Sequence, residues 1–233
     1  MSVKSKVFAA AATLTLVGGV GVAGLATAGA ANAATPSCGG SCIDVFSHQF
    51  GTFADPSFVM DSFKQGDVAG TPVILFRTSN SDPAEDFTVD NQGLVSEFYA
   101  LGLVSPQVDL HYLNDYAYEF MYSPYGVQTG LCVGVAATAV VGEKVTLQPC
   151  GVSGKTLWII DNGGNELATY QPGVPLINGS DTNFSDPYGL TYPSSNYPTD
   201  EPRPQLYTTN ILGFSDNEIS TNQLWSAETG VLP

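Results

Sequence analysis

The side chains of this sequence with the most reactive chemistry are those of its four cysteines and two histidines. An even number of cysteines is typical of disulfide-bonded proteins in oxidising compartments, and four cysteines allow three pairings. Cys38 and Cys42, in the segment CGGSC, would close a small loop, and Cys132 with Cys150 would join two neighbouring strands. A metal site is the alternative, but neither histidine has a ligand-like spacing to the cysteines. We therefore predict two disulfides with these pairings and no metal.

The two histidines, His48 and His111, are the candidates for acid–base or nucleophilic catalysis. No Gly-x-Ser-x-Gly motif accompanies them, and neither lies in a recognisable catalytic motif. A pair of carboxylates could cleave glycosides, but with 22 acidic residues such pairs are expected by chance. We predict a protein without enzymatic activity or cofactor, and a hydrolase remains an alternative.

The chain that must position these residues has the pattern of an all-β protein. Short runs rich in β-branched and aromatic residues, such as those that begin at Thr71, Lys144 and Trp158, alternate with clusters of Gly, Pro, Asn and Asp. We expect β structure throughout, because no stretch of roughly ten or more residues has a helical period with caps.

Residues 1–33 have the features of a secretory signal peptide. Lys4 and Lys6 precede an apolar run rich in Ala, Gly and Val, which ends at Ala31-Asn32-Ala33. The alternative, a membrane anchor, is less favoured because no basic flank follows. We predict a secreted protein with a short segment at 34–41 and a single domain at 42–233.

The acidic composition restricts the possible partners. The formal net charge is −15, whereas nucleic acids and anionic lipids bind surfaces rich in Lys and Arg. We therefore expect no nucleic-acid partner, no membrane partner after signal cleavage, and a monomer.

Two segments of the chain resemble each other. FTVDNQGLVSEFYALG begins at Phe87, and WIIDNGGNELATYQPG begins at Trp158. Both start with an aromatic residue and share Asp-Asn, Gly, Tyr and Gly at the same places. We interpret DNQG (90–93) and DNGG (161–164) as hairpin turns between copies, because Asn and Gly readily adopt positive φ.

A common template extends this similarity to three copies, at about 42–89, 90–160 and 161–230. Each copy has a strand centred on a leucine and later an aromatic residue: Leu75 and Phe87, Leu147 and Trp158, Leu206 and Trp225. The segment 42–53 supplies the first strand, so the two ends of the chain pair and close the sheet without free edges. Three such four-stranded copies predict a β-trefoil, with the three aromatic residues plugging the barrel core.

Two motifs resemble those of ricin-type (QxW) β-trefoil lectins. Asn222-Gln223-Leu224-Trp225 contains the Gln-x-Trp signature, and Cys132-Val-Gly-Val with Cys150 resembles the paired-cysteine strands of that family. The resemblance covers residues 42–230. Copy one departs from the signature with Glu85-Asp-Phe87, and copy two departs from it with Thr156-Leu-Trp158.

The resemblance implies a sugar pocket in each copy, built from an acid near the second strand, an aromatic residue at the end of the third strand and an amide just before the Gln-x-Trp aromatic. A sugar offers fixed hydroxyls and a C–H face, which suits polar groups beside a ring. In copy one, Asp61 stands at the acid position and Phe76 at the stacking position. Ala84 stands at the amide position, with Asp82 and Glu85 nearby as substitutes.

The other two copies match the family pattern less well. In copy two, Gly134 and Gln148 replace the acid and the ring, so this pocket is expected to be inactive. In copy three, Tyr192 replaces the acid, while Tyr207 could stack on a sugar and Asn222 with Gln223 could hydrogen-bond to it. The implied ligand is a glycan or polysaccharide, held in copies one and three.

A protein partner is the second hypothesis. The stretch 111–126 contains five tyrosines, and the loop 192–204 is rich in proline. Tyrosine is frequent in binding surfaces because it is rigid, large and partly polar. The alternative for 111–126 is a hairpin that covers one end of the barrel. A trefoil with such loops could act as a protease inhibitor or a secreted interaction factor.

Overall fold

The computed structural model of the protein describes residues 42–50, 58–79, 81–160, 173–192, 205–208 and 220–227. The predictions about residues 1–41, DNGG (161–164) and most of the loop 192–204 lie outside these ranges. In the described part of the chain, no helix is long and apolar enough to cross a membrane.

The described residues form twelve strands and two short helices. The strands are β1 (Val45–Ser47), β2 (Phe58–Ser62), β3 (Val73–Arg77), β4 (Phe87–Leu94), β5 (Tyr116–Tyr122), β6 (Leu131–Val135), β7 (Val145–Pro149), β8 (Trp158–Ile160), β9 (Leu176–Asn178), β10 (Tyr188–Thr191), β11 (Gln205–Thr208) and β12 (Trp225–Ala227), and the helices are α1 (Val95–Ala100) and α2 (Pro106–Tyr112). Consecutive groups of four strands correspond to the three predicted copies.

Six of these strands close into a ring. Strand β4 pairs with β5, β5 with β8, β8 with β9 and β12 with β1, all antiparallel. Single bridges complete the ring: Ile43 with Phe87 and Val174 with Trp225. The predicted pairing between the two ends of the chain is therefore confirmed, with Val45 opposite Ala227. Within the described residues, each of the six ring strands thus has a partner on both sides.

The remaining six strands form three antiparallel hairpins, β2–β3, β6–β7 and β10–β11. The three leucines of the sequence template occupy the same place in them. Leu75 pairs with Met60, Leu147 with Val133 and Leu206 with Leu190. This shared register gives a residue-by-residue correspondence between the copies.

The three aromatic residues of the template lie in the barrel core, as predicted. Phe87, Trp158 and Trp225 each begin the last strand of a copy and are 0% exposed. The Trp158 indole donates to the Val133 carbonyl oxygen at 2.9 Å, and the Trp225 indole donates to that of Leu190 at 2.8 Å. Satisfying the indole N–H removes the cost of burying it.

The DNQG segment is not a hairpin turn, and this prediction is wrong. Residues 90–93 lie within β4, where the register against β5 shifts between Val89 and Gln92. The Asn91 amide donates to the Glu119 carboxylate on β5. Asn and Gly suit a bulge as well as a turn, and here the bulge lets β4 continue.

Two helices follow β4, which corrects the expectation of β structure throughout. The Ser105 hydroxyl caps α2 by accepting from the Val108 N–H at 3.2 Å, and Pro106 occupies its first turn. At the start of α1, the Glu97 carboxylate accepts from the Leu94 N–H at 3.0 Å. The inner faces of both helices form a second apolar cluster with strand residues such as Ile159 and Ile177.

The tyrosine-rich stretch 111–126 is not a hairpin over one barrel end, which was the alternative to a binding surface. Its central part is β5, a strand of the ring, and Tyr112, Tyr118 and Tyr122 are buried. Only Tyr116 and Tyr125 among its five tyrosines are exposed.

The predicted Cys132–Cys150 disulfide is present and joins β6 to the end of β7. Cys42 is also disulfide-bonded, and Cys38 lies outside the described residues.

We expect no free thiol in the folded protein, and mass spectrometry of a non-reduced digest should return Cys132–Cys150 and Cys38–Cys42 peptides. Because the crosslink restricts the unfolded chain, Cys132→Ser/Cys150→Ser should lower the free energy of unfolding by about 2–3 kcal/mol. Crossed pairs, or alkylation of the native protein, would contradict this prediction.

Candidate functional site

A pocket of about 240 Å³ opens beside the β2–β3 hairpin of copy one. It is lined by Asp61, Phe63, Lys64, Gln65, Ile74, Phe76, Asp82 and Ala84. Asp61, Phe76, Asp82 and Ala84, which the sequence singled out in copy one, thus line one pocket, and a carboxylate oxygen of Glu85 lies within 4.8 Å of those of Asp61 and Asp82.

The hairpin register positions the acid and the ring of this pocket. Asp61 on β2 pairs with Ile74 on β3, two residues before Phe76. Asp61 lines the pocket although the residue is only 4% exposed. Phe76 is 41% exposed, so it is a surface ring and not a core residue. An exposed ring beside a carboxylate can cover an apolar ligand face while the oxygens accept hydrogen bonds.

A short 3-10 turn supplies the opposite wall. Asp82 precedes this turn, and its carboxylate accepts from the Ala84 N–H at 3.0 Å and from the Gln65 amide at 3.3 Å. Both Glu85 carboxylate oxygens accept from the Ser79 N–H, each at 3.0 Å. The turn ends two residues before the core aromatic Phe87, so the barrel core fixes its position.

Three carboxyl groups meet beneath the pocket. Oxygen atoms of Asp61, Asp82 and Glu85 lie within 4.8 Å of one another. The pKa of Glu85 is raised to about 9, mainly by burial and also by the charges of Asp44, Asp61 and Asp82, against the lowering effect of the hydrogen bond from the Ser79 N–H. Glu85 is therefore protonated at neutral pH.

The pocket rim has an unusual backbone. Lys64 and Gln65 have φ of 57° and 55°, the left-handed region that non-glycine residues rarely occupy. Such residues cost on the order of 1–3 kcal/mol each and concentrate at binding sites. This conformation directs the Lys64 ammonium to 4.9 Å from the centre of the Phe63 ring, within cation–π distance.

Copy two has no room for an equivalent site. Gly134 is the counterpart of Asp61, because Val133 and Met60 hold the same place opposite the template leucines. A Cβ atom on Gly134 would come within 2.7 Å of the Lys155 carbonyl oxygen and 2.8 Å of the Thr156 methyl. Gln148, the counterpart of Phe76, donates to the Thr146 hydroxyl at 2.8 Å.

In copy three, the counterpart of Asp61 is Thr191, and the assignment of Tyr192 to the acid position is wrong. Thr191 follows Leu190, as Asp61 follows Met60, and it pairs with Gln205. Tyr192 is instead buried, with its ring centre 4.8 Å from that of Phe50.

The amides of copy three serve the fold. The Gln223 side chain is buried and donates to the Thr191 hydroxyl at 3.1 Å. The half-buried Asn222 donates to the Tyr192 carbonyl oxygen at 2.8 Å. Tyr207 lies in β11, and its side chain is outside the described residues. Among the described side chains, the amides of copy three are thus engaged within the fold.

The histidines have structural contacts. The half-buried His48 imidazole shares a hydrogen bond of 2.7 Å with the Ser226 hydroxyl, across the β1–β12 pair that closes the ring. Burial lowers the pKa of His48. His111 stacks on Phe184, with ring centres 4.8 Å apart.

Two sequence-based comparisons give no relatives: no protein-family model matches this chain, and no curated protein matches it. Among solved structures, the chain is similar to the designed three-fold symmetric protein ThreeFoil, with a TM-score of 0.51 and 11% identity over 80% of this chain and 97% of the design. At this identity the similarity concerns the fold alone.

Two further structures are similar at lower scores. The Rhizoctonia solani agglutinin gives a TM-score of 0.48 and 14% identity over 80% of this chain and 94% of the agglutinin. An exo-beta-1,3-galactanase from Clostridium thermocellum gives 0.49 and 10% over 81% of this chain and 30% of the enzyme. The closed six-stranded ring, the three hairpins and the similarity to ThreeFoil together identify the chain as a β-trefoil.

Proposed function

We propose that this protein is a secreted, non-catalytic β-trefoil that binds a glycan in the pocket of copy one. One observation carries the proposal: the exposed Phe76 ring lies at the same pocket as the Asp61 and Asp82 carboxylates. The ring would cover the C–H face of a sugar, and the carboxylates would accept hydrogen bonds from its hydroxyls. Copy three, with Tyr207 and Asn222, is proposed as a weaker site.

The test is a glycan and polysaccharide screen followed by titration of variants. Asp61→Asn should weaken binding at this site by about 1.5–3 kcal/mol, because hydrogen bonds to charged groups are the stronger kind. Phe76→Ala should remove the stacking surface and weaken binding as well. Tyr207→Ala should cause a smaller loss, confined to copy three.

Gln148→Ala is the matched control, since Gln148 occupies the Phe76 place in the copy where Gly134 replaces the acid. It should leave binding unchanged. Equal binding by the parent and by the Asp61→Asn/Tyr207→Ala double variant would show that neither site acts in sugar recognition. Melting curves of all variants separate lost binding from lost folding.

The helical insert between β4 and β5 favours a second candidate function, binding to a protein. Its outer surface exposes large apolar side chains, among them Leu101 at 72% and Leu110 at 78%. Exposed apolar clusters are characteristic of interaction surfaces. Leu101→Ser/Leu110→Ser should weaken a protein complex and leave glycan binding unchanged, which distinguishes the two functions.

A further inference from the structure

From the geometry of the copy-one pocket, we infer that the preferred ligand is a glycan carrying free amino groups, such as a glucosamine oligomer, and not a neutral or N-acetylated one. This inference rests on the proposed function and specifies its ligand class.

The first argument is the charge of the pocket. Its lining contains two carboxylates, Asp61 and Asp82, and one ammonium, that of Lys64. The Asp61 and Asp82 oxygens lie within 4.8 Å of each other. At this separation two like charges repel, and a cation placed between them is stabilised.

The second argument is that the environment of the carboxyl cluster stabilises a bound proton. Glu85 is 2% exposed, lies in the same 4.8 Å cluster and has a pKa raised by burial and by the neighbouring acids. The cluster therefore favours positive charge. A ligand ammonium bound in the pocket would reduce the repulsion between these carboxylates, as the proton on Glu85 does.

The third argument is the composition of the aromatic wall. The Lys64 ammonium already lies 4.9 Å from the centre of the Phe63 ring, which is a favourable cation–π distance. Phe76 lines the same pocket with an exposed ring. An aromatic ring can contact the C–H face of an amino sugar, while the neighbouring carboxylates bind its amino group.

The fourth argument is the balance of donors and acceptors. Ala84 stands where the related copy three has the Asn222 amide, so copy one has no amide donor at that place. The Gln65 amide is held by Asp82. An ammonium group brings three donors for the two carboxylates, whereas the carbonyl oxygen of an N-acetyl group would find only the Lys64 ammonium and the Gln65 amide as side-chain donors in this lining.

The test compares glucosamine oligomers with N-acetylglucosamine oligomers of the same length. Titration calorimetry is done at mildly acidic pH, where the amines are protonated, at low and at high salt. The glucosamine oligomer should bind at least about tenfold more tightly, and the difference should shrink at high salt because the pocket is open to solvent. Asp82→Asn, which keeps the N-cap acceptor, should remove most of the preference.

Asp67→Asn is the matched control: it removes the same charge from an exposed acid that does not line the pocket. The Asp67→Asn variant should still bind the glucosamine oligomer more tightly than the N-acetylglucosamine oligomer. Equal loss in Asp82→Asn and Asp67→Asn would mean that the amines bind the acidic surface in general, which overturns the inference. Equal binding of both oligomers by the parent would overturn it and leave the proposed function intact. Binding of neither oligomer, and of no other glycan in the screen, would overturn both.

Discussion

Replacing either barrel tryptophan by alanine should lower the free energy of unfolding by about 3–5 kcal/mol, the usual range for a buried large aromatic residue. Trp158 and Trp225 are completely buried, and each begins the strand that ends its copy. Each also donates its indole hydrogen to the second strand of the same copy. Urea denaturation of Trp158→Ala and Trp225→Ala measures the loss.

A phenylalanine in the same place is the matched control, because copy one has Phe87 there. Trp158→Phe keeps a ring in the core and removes the donor to the Val133 carbonyl oxygen, so it should cost less, about 1–3 kcal/mol. Should an alanine variant melt within a degree or two of the parent, the tryptophan does not support the barrel as described.

Replacing Glu85 by glutamine should make the protein more stable than its parent at alkaline pH. The pKa of Glu85 rises from 4.5 to about 9 on folding, chiefly because the side chain is buried. The folded state therefore holds a proton that the unfolded state releases as the pH rises above 4.5. The contribution of Glu85 to stability is full below that pH and is lost progressively up to about 9.

Glutamine resembles the protonated carboxyl and can still accept from the Ser79 N–H. At about pH 8 we expect Glu85→Gln to exceed the parent by about 2 kcal/mol or more, and to match it more closely near pH 4. Glu143→Gln, outside the carboxyl cluster, is the control for the change in net charge. Burial also raises the pKa of Asp90 and Asp181, so the difference between parent and variant is the quantity to compare. Parallel curves for parent and Glu85→Gln would contradict the prediction.

The repeat was predictable because it depends on patterns within the sequence. A leucine at the centre of a hairpin strand and an aromatic residue after a polar loop recur in all three copies. Leu75, Leu147 and the three aromatic residues of this pattern are buried in one core cluster. The pairing of the chain ends followed from the missing first strand of copy one.

Other features depend on contacts that no local pattern shows. Asn91 belongs to a bulge because Glu119, on a strand that is distant in sequence, accepts its amide hydrogen. In copy three, YGLTY offers two polar or aromatic residues for the acid position. Only the pairing of Leu190 with Leu206 identifies Thr191 as the counterpart of Asp61.

The carboxyl cluster at the pocket also could not be predicted from the sequence. The sequence pattern identifies Asp82 and Glu85 only as possible substitutes for an amide. Their meeting with Asp61 depends on the turn that Phe87 anchors in the core. The altered pKa of Glu85 follows from that meeting and from burial, and neither is a property of the local sequence.

The closure of the ring also determines when this protein can complete its fold. The hydrogen bond between His48 and Ser226 joins residues 178 positions apart, and the whole β1–β12 pair has a similar separation. Contacts between such distant residues slow folding, because a long loop must lose entropy before they form. During synthesis, the edge of β1 that pairs with β12 stays unpaired until β12 has been synthesised. An unpaired edge can pair with another chain. Intermediates that lack β12 are therefore the species in which this protein is most prone to aggregate.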